Sequence, residues 1–404
     1  MNYIKNKFHI EKNSTINLAK TFGTPLYCYS HEKLRKNVEK FKKVFEPISP
    51  LICFSVKSNS NLKLLKEIKK MGLGADVVSK GELIASLKAG INKKMIVFSG
   101  VGKTTSELKF AIKKGILLIN AESMNEIRLI EKIAKKQNKI VNIGLRLNPN
   151  TDAKTIKQIS TGKIDDKFGV DSKTFIKIMN SMKNSKYINV KCLSVHIGSQ
   201  ILDYKPYLKM LKTLEKIIKK TNYNFEYVDL GGGMGIKYDN NNRSLNYSIY
   251  KKEIIKFKNR NNCKIIFEPG RSIIGNTAVL ISKIIYLKEN KNKIFAILDA
   301  AMNDLIRPAL YKAKHRIVPA LRRSGKFRKS LEFVGPICES TDKFLTEKKF
   351  NKLKEEDYVI ICDTGAYGFS LSSNYNLRVK PAEILIKGKN ISIIRKRQSI
   401  QDII

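Results

Sequence analysis

The stretch Ile52-Cys53-Phe54-Ser55-Val56-Lys57-Ser58-Asn59 is a short apolar run that ends in a lysine and continues into polar residues. The next segment, Leu62 to Lys70, has apolar residues at helical spacing. Together they predict a buried strand, a loop and an amphipathic helix. Lys57 then lies where the strand meets the loop, and an amine held there can be desolvated, which lowers its pKa and suits it to Schiff-base chemistry. The ordinary alternative is a strand-end lysine that reaches solvent.

The same strand-then-helix pattern recurs from about residue 50 to about residue 270. Alternating strands and helices predict a parallel sheet, and eight such units favour an α/β fold of the (β/α)8 TIM-like barrel type. An open, doubly wound sheet is the alternative that this spacing permits. The eight candidate strands are residues 52–56, 74–78, 95–98, 116–119, 141–147, 191–196, 225–230 and 264–267. The amphipathic segments between them include residues 60–71, 81–89, 105–114, 123–137, 173–182, 204–220 and 247–258.

After about residue 276 the chain changes to strand-like runs with few long helical patterns between them. This change predicts a second, mostly β domain at the C-terminus. The predicted division is a barrel over residues 30–276 and a β-rich domain of residues 277–404 that also takes in the N-terminal segment, residues 1–29. The strand-like runs are residues 278–287, 293–300, 331–334, 358–363, 376–379, 382–386 and 391–396.

The chain of 404 residues carries a formal net charge of +43 at pH 7. Such a charge can serve the binding of nucleic acid or of an anionic membrane. Here, however, the lysines recur along helix-like segments, as in Lys63, Lys66, Lys69 and Lys70, which is typical of solvated helix faces. We therefore expect no nucleic-acid partner. A non-catalytic nucleic-acid binder is the alternative from another class of protein.

The cysteines include no CxxC pair and do not cluster with the four histidines at metal-ligand spacing, so we expect no metal site. No apolar stretch approaches the roughly 18 residues of a membrane span, and Met1 to Lys20 lacks the apolar core of a signal peptide. We expect a cytoplasmic protein with reduced thiols and no membrane partner. The cysteines are Cys28, Cys53, Cys192, Cys263, Cys338 and Cys362.

Chemistry-bearing residues follow four of the predicted barrel strands. Lys57 follows the first strand, and His196 closes the sixth. The run Gly231-Gly232-Gly233-Met234-Gly235 follows the seventh, and Glu268-Pro269-Gly270-Arg271 follows the eighth. Taken singly, these are a solvent-facing lysine, a structural histidine, a tight turn and a β-turn. In a barrel, however, the carboxyl ends of the strands lie together and carry the active site.

These four features together describe one kind of site. Glycines let backbone N–H groups approach a phosphate. A carboxylate can keep a pyridine nitrogen protonated, an imidazole can stack on a flat ring, and a lysine can form an imine. The combination predicts a site for pyridoxal 5'-phosphate.

Motifs along nearly the whole chain resemble the fold-type III pyridoxal phosphate decarboxylases. The resemblance extends from Gly23-Thr24-Pro25-Leu26-Tyr27 to Ile394-Arg395-Lys396-Arg397. As a set the motifs are highly specific, although several are weak singly. They lie at residues 54–59, 74–83, 167–169, 196–200, 231–235, 268–271, 335–342 and 363–368.

The resemblance implies a role for each matched residue. Lys57 matches the catalytic lysine that holds the cofactor covalently, His196 the residue that stacks on the pyridine ring, and Glu268 the carboxylate that faces the ring nitrogen. Asp76 and Lys80 match residues near the lysine, for which a structural role is equally expected. The other matched cofactor-binding residues are Gly232, Gly233, Gly270, Arg271 and Tyr367.

Cys338 matches the second catalytic residue, the cysteine that returns a proton to the substrate carbon. In the family, Cys338 and Glu339 would reach the site from the partner subunit, which implies a homodimer with two shared active sites. Outside this context, a cysteine in an apolar-flanked loop is most often a small buried side chain.

The resemblance also implies a substrate, meso-2,6-diaminopimelate, which is converted to L-lysine and CO2 in the last step of lysine biosynthesis. Its second amino-acid end needs cations for the carboxylate and an anion for the ammonium. The pattern Cys338-Glu339-Ser340 favours this branch of the family. The alternatives are a decarboxylase of the ornithine, arginine or carboxynorspermidine type and an amino-acid racemase of similar barrel type. The matched substrate-binding residues are Arg271, Arg307, Tyr311, Glu339 and Tyr367.

Overall fold

The computed structural model describes residues 1–238 and 244–404. The chain forms two compact units. The first comprises Val38–Ile236 and a segment that ends at Ser272, and the second comprises Met1–Asn37, a short segment that begins at Lys237, and Ile273–Ile404. The domain boundaries proposed from the sequence stay a prediction.

Eight parallel strands close into a barrel in the first unit, and each pairs with the next strand along the chain. Closure comes from the eighth strand, where Ile266 lies opposite Leu51 of the first. The predicted (β/α)8 barrel is therefore confirmed, and the open, doubly wound sheet is excluded. Barrel strands 1 to 8 are Leu51–Ser55, Gly74–Val77, Ile96–Phe98, Leu118–Ala121, Val141–Arg146, Ile188–Ser194, Tyr227–Asp229 and Lys264–Phe267.

Helices alternate with these strands. Polar side chains cap the helix N-termini, and each helix packs an apolar face against the barrel. Asn61 caps Leu62–Lys70, and Thr104 forms a capping box with Glu107 at Thr105–Lys114. Within the described residues, no helix is long and apolar enough to cross a membrane. The longer helices from residue 31 onward are His31–Phe45, Leu62–Lys70, Lys80–Lys88, Thr105–Lys114, Met124–Lys136, Ser172–Met182, Lys205–Thr221 and Tyr247–Asn261.

Barrel strand 1 illustrates why the barrel is apolar within and polar at one end. Cys53 is completely buried and belongs to a cluster with Val97 and Ile266. Residues two apart on a strand share a face, so Ser55 lies on the same side as Cys53, one layer nearer the carboxyl end. There its hydroxyl donates to Asp76 at 2.7 Å.

In the second unit, the strand Leu26–Ser30 joins the N-terminal segment to the C-terminal sheet. It lies antiparallel to Ala278–Glu289 and parallel to Ala382–Lys387, so the prediction that the β-rich domain takes in the N-terminal segment is confirmed. The other strands of this nine-stranded sheet are Lys293–Leu298, Ile317–Pro319, Ser330–Val334, Lys343–Glu347, Tyr358–Ile361 and Asn390–Arg395. A three-stranded sheet consists of Asn2–Ile4, Lys7–Ile10 and Asn13–Ser14, and the helices include Thr15–Phe22 and Arg307–Tyr311.

The strand predicted over residues 376–379 is wrong. Tyr375–Leu377 is a short 3-10 turn in which Asn376 has a φ of 55° and Leu377 a φ of 52°, both outside the extended region. The Asn374 side chain closes the turn by donating to the carbonyl oxygen of Arg378 at 2.9 Å. A local side-chain hydrogen bond therefore takes the place of sheet pairing.

Candidate active site

Lys57 lies on the one-turn helix Val56–Ser58, directly after barrel strand 1. Its Nζ lies 3.5 Å from Oδ2 of Asp76, whose side chain is completely buried, while the Lys57 side chain is 37% exposed. A buried carboxylate that also accepts from Ser55 thus holds the lysine at the barrel end. The sequence suggested that this amine can be desolvated; in the structure it is partly exposed and paired with a completely buried carboxylate.

Asp229, at the end of barrel strand 7, is a completely buried carboxyl beside the glycine turn. Its Oδ1 accepts from the backbone N–H of Gly231 at 2.9 Å, and its Oδ2 accepts from the side-chain amide of Asn120 at 3.0 Å. Burial raises the pKa of Asp229 to about 6, because a charged carboxylate is poorly solvated there.

Glu268, directly after barrel strand 8, is a second buried carboxyl of the same region. Its Oε1 accepts from the Ser99 hydroxyl at 3.3 Å. Burial, followed by the negative charges of Asp229 and Asp76, raises the pKa of Glu268 well above its ordinary range, against the opposing effect of Lys57. These effects favour the protonated form of Glu268.

His196 follows barrel strand 6 and carries a neutral imidazole. Its Nδ1 lies 3.2 Å from the backbone N–H of Gly232, which can only donate, so Nδ1 accepts and the ring proton lies on Nε2. Desolvation and the positive charges of Lys57 and Arg146 hold the pKa of His196 well below its ordinary value.

The glycine turn after barrel strand 7 leaves no room for side chains. A Cβ at Gly232 would overlap the backbone carbonyl of Glu268, and Gly233 has a φ of +86°, which favours glycine. The Gly231 carbonyl accepts from the backbone N–H of Glu268 at 2.8 Å. The turn and the glutamate loop are therefore held together, with no side chain to screen the backbone of the turn.

The last two cofactor-binding candidates of the barrel unit lie in the loop after barrel strand 8. A Cβ at Gly270 would lie 3.0 Å from the Cβ of Ser58, so this glycine packs directly beside the segment that carries Lys57. Arg271 is buried, and its Nη2 donates to the Ser199 hydroxyl at 3.0 Å. The barrel unit thus places seven predicted residues at the strand carboxyl ends: Lys57, His196, Gly232, Gly233, Glu268, Gly270 and Arg271.

Two charged residues of this region were not predicted from the sequence. Asp229 is separated from the glycine run by Leu230 alone, and an acidic residue at the end of the apolar run before those glycines was the available signal. Arg146 ends barrel strand 5, is buried, and donates through Nη1 to Glu122 at 2.9 Å. An arginine at the end of an otherwise apolar run was its signal.

The remaining predicted residues belong to the second unit. Arg307 is buried at the start of the helix Arg307–Tyr311, and Tyr311, which ends that helix, is partly exposed. Tyr367 is partly exposed and has a φ of +56°. Arg307 and Tyr311 thus share one short helix, and the roles of these residues stay a prediction.

Cys338 and Glu339 lie on an exposed loop of the second unit. The Glu339 carboxylate accepts hydrogen bonds from the hydroxyls of Tyr375 and Thr341, which lower its pKa. Glu339 is therefore ionised at neutral pH. No cluster of His, Cys, Asp and Glu side chains that could hold a metal ion occurs in the part of the chain that the structure describes.

Comparison with known proteins identifies the class. Residues 31–275 match the family model described as "Pyridoxal-dependent decarboxylase, pyridoxal binding domain". The match spans more than half of the chain, which therefore belongs to the pyridoxal-dependent decarboxylases. The predicted cofactor, pyridoxal phosphate, is confirmed by this membership.

Within this class, similarity along the whole chain is to diaminopimelate decarboxylases. The chain is 38% identical to that of Aquifex aeolicus, over 100% of this chain and 96% of the relative. It is 39% identical to that of Haemophilus influenzae, over 99% of this chain and 97% of the relative. A crystal structure of diaminopimelate decarboxylase from Helicobacter pylori complexed with L-lysine has a TM-score of 0.91 and 38% identity, over 96% of this chain and 98% of that chain. The resemblance predicted from the motifs is confirmed.

Proposed function

We propose that this protein decarboxylates meso-2,6-diaminopimelate to L-lysine and CO2, the last step of lysine biosynthesis, with pyridoxal phosphate at the carboxyl end of the barrel. The observation that carries the proposal is the meeting of Lys57, Glu268 and His196 at that end, each within electrostatic reach of another. The similarity to diaminopimelate decarboxylases along the whole chain supports the choice of substrate.

The residues of the barrel end fit pyridoxal phosphate. Lys57 has the amine that can hold the cofactor covalently, and the side-chain-free turn at Gly232 and Gly233 can approach its phosphate. Glu268 is buried and its pKa is raised, which favours the protonated form that can share its proton with the ring nitrogen. When bound, pyridoxal phosphate takes up the electron pair that the departing carboxylate leaves behind.

The side chains around the cofactor have separate roles in binding, orientation and proton placement. The substrate amine displaces the amine of Lys57 from the cofactor, and Lys57 binds the cofactor again when the product leaves. Glu268 keeps a proton at the ring nitrogen, and neutral His196 covers the ring without adding positive charge. Arg271 and the glycine turn hold the phosphate, so that the reacting carbon is kept in one position.

The residues of the second unit select the substrate. The far end of diaminopimelate carries a carboxylate, which Arg307 and Tyr311 bind together with Arg271 of the barrel loop, while Tyr367 lies near the phosphate and the substrate. It also carries an ammonium, which the ionised Glu339 binds. Charge-assisted hydrogen bonds are stronger than neutral ones, so a substrate without the distal carboxylate is a poor competitor.

Cys338 returns a proton to the α-carbon after CO2 leaves, and solvent replaces that proton. Both Cys338 and Glu339 are exposed in the single chain, and so is Tyr375, whose hydroxyl donates to Glu339. A second copy of the chain covers this surface, and its Cys338 completes the active site. The protein thus acts as a homodimer with shared sites, in the cytoplasm, where its six thiols stay reduced.

Purified protein with pyridoxal phosphate and meso-diaminopimelate tests the proposal. Equal amounts of L-lysine and CO2 are expected. A parallel panel of ornithine, arginine and carboxynorspermidine should give little turnover. Faster turnover of any panel member would assign the protein to another branch of the family, and exchange of the α-proton without CO2 release would make it a racemase.

A further inference from the structure

His315 and Arg307 form a buried pair in the second unit. His315 is completely buried, and Arg307 is 4% exposed. Nη1 of Arg307 lies 2.7 Å from Nε2 of His315, and Nδ1 of His315 lies 2.8 Å from the carbonyl oxygen of Cys362. Two short contacts therefore hold the imidazole at opposite edges.

These contacts determine the protonation of His315. A guanidinium N–H can only donate, so Nε2 of His315 accepts and carries no proton. A carbonyl oxygen can only accept, so Nδ1 of His315 donates to Cys362. The imidazole is therefore neutral, with its proton on Nδ1.

The sheet fixes the position of His315 relative to Cys362. His315 comes just before the strand Ile317–Pro319, in which Ile317 lies opposite Ile361 in an antiparallel pair. The pairing continues through the backbone N–H of Cys362, which donates to the carbonyl of Arg316 at 2.9 Å. His315 thus holds Arg307 from a rigid element, although Arg307 itself lies on a helix of only five residues.

The aromatic ring of Tyr238 packs against the guanidinium group of Arg307. Cζ of Arg307 lies 4.7 Å from the centroid of that ring. The same ring meets His315 edge to face at 5.1 Å. Tyr238 therefore restrains the tilt of the guanidinium plane, and His315 restrains its rotation within that plane.

We propose that His315 is a positioning residue that orients Arg307 toward the carboxylate at the far end of the substrate. The inference rests on the proposed function, in which Arg307 binds that carboxylate. Arginine binds a carboxylate best through two parallel N–H groups, so its orientation decides affinity. A neutral acceptor suits this task because it fixes the guanidinium without cancelling its charge, as a carboxylate in the same place would.

The test compares two ligands of the holoenzyme that differ in one group. L-Lysine has the distal carboxylate, and 1,5-diaminopentane lacks it. Their binding is followed by the change in cofactor absorbance. In His315→Asn the shorter side chain can still donate to Cys362 but cannot reach Arg307, so L-lysine should bind roughly tenfold to a hundredfold more weakly, the range for hydrogen bonds to charged groups. Binding of 1,5-diaminopentane should not change, and KM for diaminopimelate should rise while kcat changes little.

His315→Gln is the conservative variant, because its longer amide can place an oxygen near the position of Nε2. It should recover most of the lost affinity for L-lysine. His9→Asn is the matched control, because His9 lies at the surface, where its Nδ1 is 2.9 Å from the carbonyl oxygen of Lys7. Equal weakening of both ligands in His315→Asn, or no recovery in His315→Gln, would overturn the positioning role.

Arg307→Met separates this inference from the proposed function. If Arg307→Met keeps the wild-type preference for L-lysine over 1,5-diaminopentane, the carboxylate role of Arg307 fails. If that preference is lost in Arg307→Met but kept in His315→Asn, only the role of His315 fails. Nitrogen-15 NMR of the wild-type histidines needs no variant. It should show His315 neutral with its proton on Nδ1, and a proton on Nε2 would overturn the inference.

Discussion

Nζ of Lys57 lies 3.5 Å from Oδ2 of Asp76; Lys57 follows barrel strand 1, and Asp76 lies on the parallel strand beside it. The lysine side chain is 37% exposed, whereas the Asp76 side chain is completely buried. The amine is thus accessible to a ligand, while the carboxylate that pairs with it is fixed in the interior of the barrel. The ion pair of Lys57 and its proposed covalent role can therefore be separated by substitution.

Lys57→Ala should abolish the visible absorbance of the bound cofactor and lower activity by more than about a thousandfold, because it removes the amine proposed to hold the cofactor covalently. Absorbance spectra and CO2 release measure both. Lys57→Arg keeps a positive charge opposite Asp76 but cannot bind the cofactor covalently, so it should melt like the wild type and remain inactive. An unchanged spectrum in Lys57→Ala would show that Lys57 does not hold the cofactor covalently.

Gly232→Ala should destabilise the protein by about 1–3 kcal/mol and weaken cofactor binding. The new Cβ would overlap the carbonyl of Glu268, so the glutamate loop must shift. Thermal melting and cofactor titration measure the two effects. Gly102→Ala is the control, because a Cβ at Gly102 would have no neighbour within 4 Å. Equal behaviour of the two variants would count against a tight turn at this site.

Asp229 should make stability depend on pH. Its pKa is about 6 in the folded protein and about 4 when unfolded. A raised pKa gives stabilisation that is complete below about pH 4 and is lost as the pH rises through about 6. Asp229→Asn cannot lose a proton at this position. As the pH rises from 4 to 6, the wild type should therefore lose on the order of 2 kcal/mol of its free energy of unfolding relative to the variant.

Cofactor-free protein, melted at a series of pH values, measures this difference. Asp152→Asn is the matched control, because Asp152 is exposed and should show no such gain between pH 4 and 6. A constant difference between Asp229→Asn and the wild type would mean that folding does not shift the pKa of Asp229.

Mixing Lys57→Ala with Cys338→Ala subunits tests shared active sites. Each variant alone should be nearly inactive, but half of the sites in a mixed dimer would combine an intact Lys57 with an intact Cys338 if they come from different subunits. About a quarter of wild-type activity is expected when the subunits mix at random. Verified mixed dimers without activity would place Lys57 and Cys338 of each site on one chain.

The barrel could be predicted because each of its strands is an apolar run between turn residues, and such runs are local. The predicted strand of residues 264–267 coincides with Lys264–Phe267, and that of residues 191–196 lies three residues from the start of Ile188–Ser194. Short strands of the second unit were missed. Ile317–Pro319 and Lys343–Glu347 have only three and five residues, and their pairing depends on partners far along the chain.

The wrong strand at residues 376–379 has a related cause. Apolar and polar residues alternate there, but Asn374 makes a local hydrogen bond to Arg378 that ends any extended run. A short pattern cannot show whether the backbone will find a sheet partner or a side chain first.

The sequence by itself determined the order of strands and helices and which functional groups stand at the strand ends, because both follow from short patterns along the chain. Only the tertiary structure decided their charge states. It buried Glu268 and brought Asp229 and Asp76 close enough to raise its pKa further, and it left His196 neutral beside Lys57. The physical reason is that electrostatic energies depend on burial and on distances through space, and residues far apart in sequence acquire both only when the barrel closes.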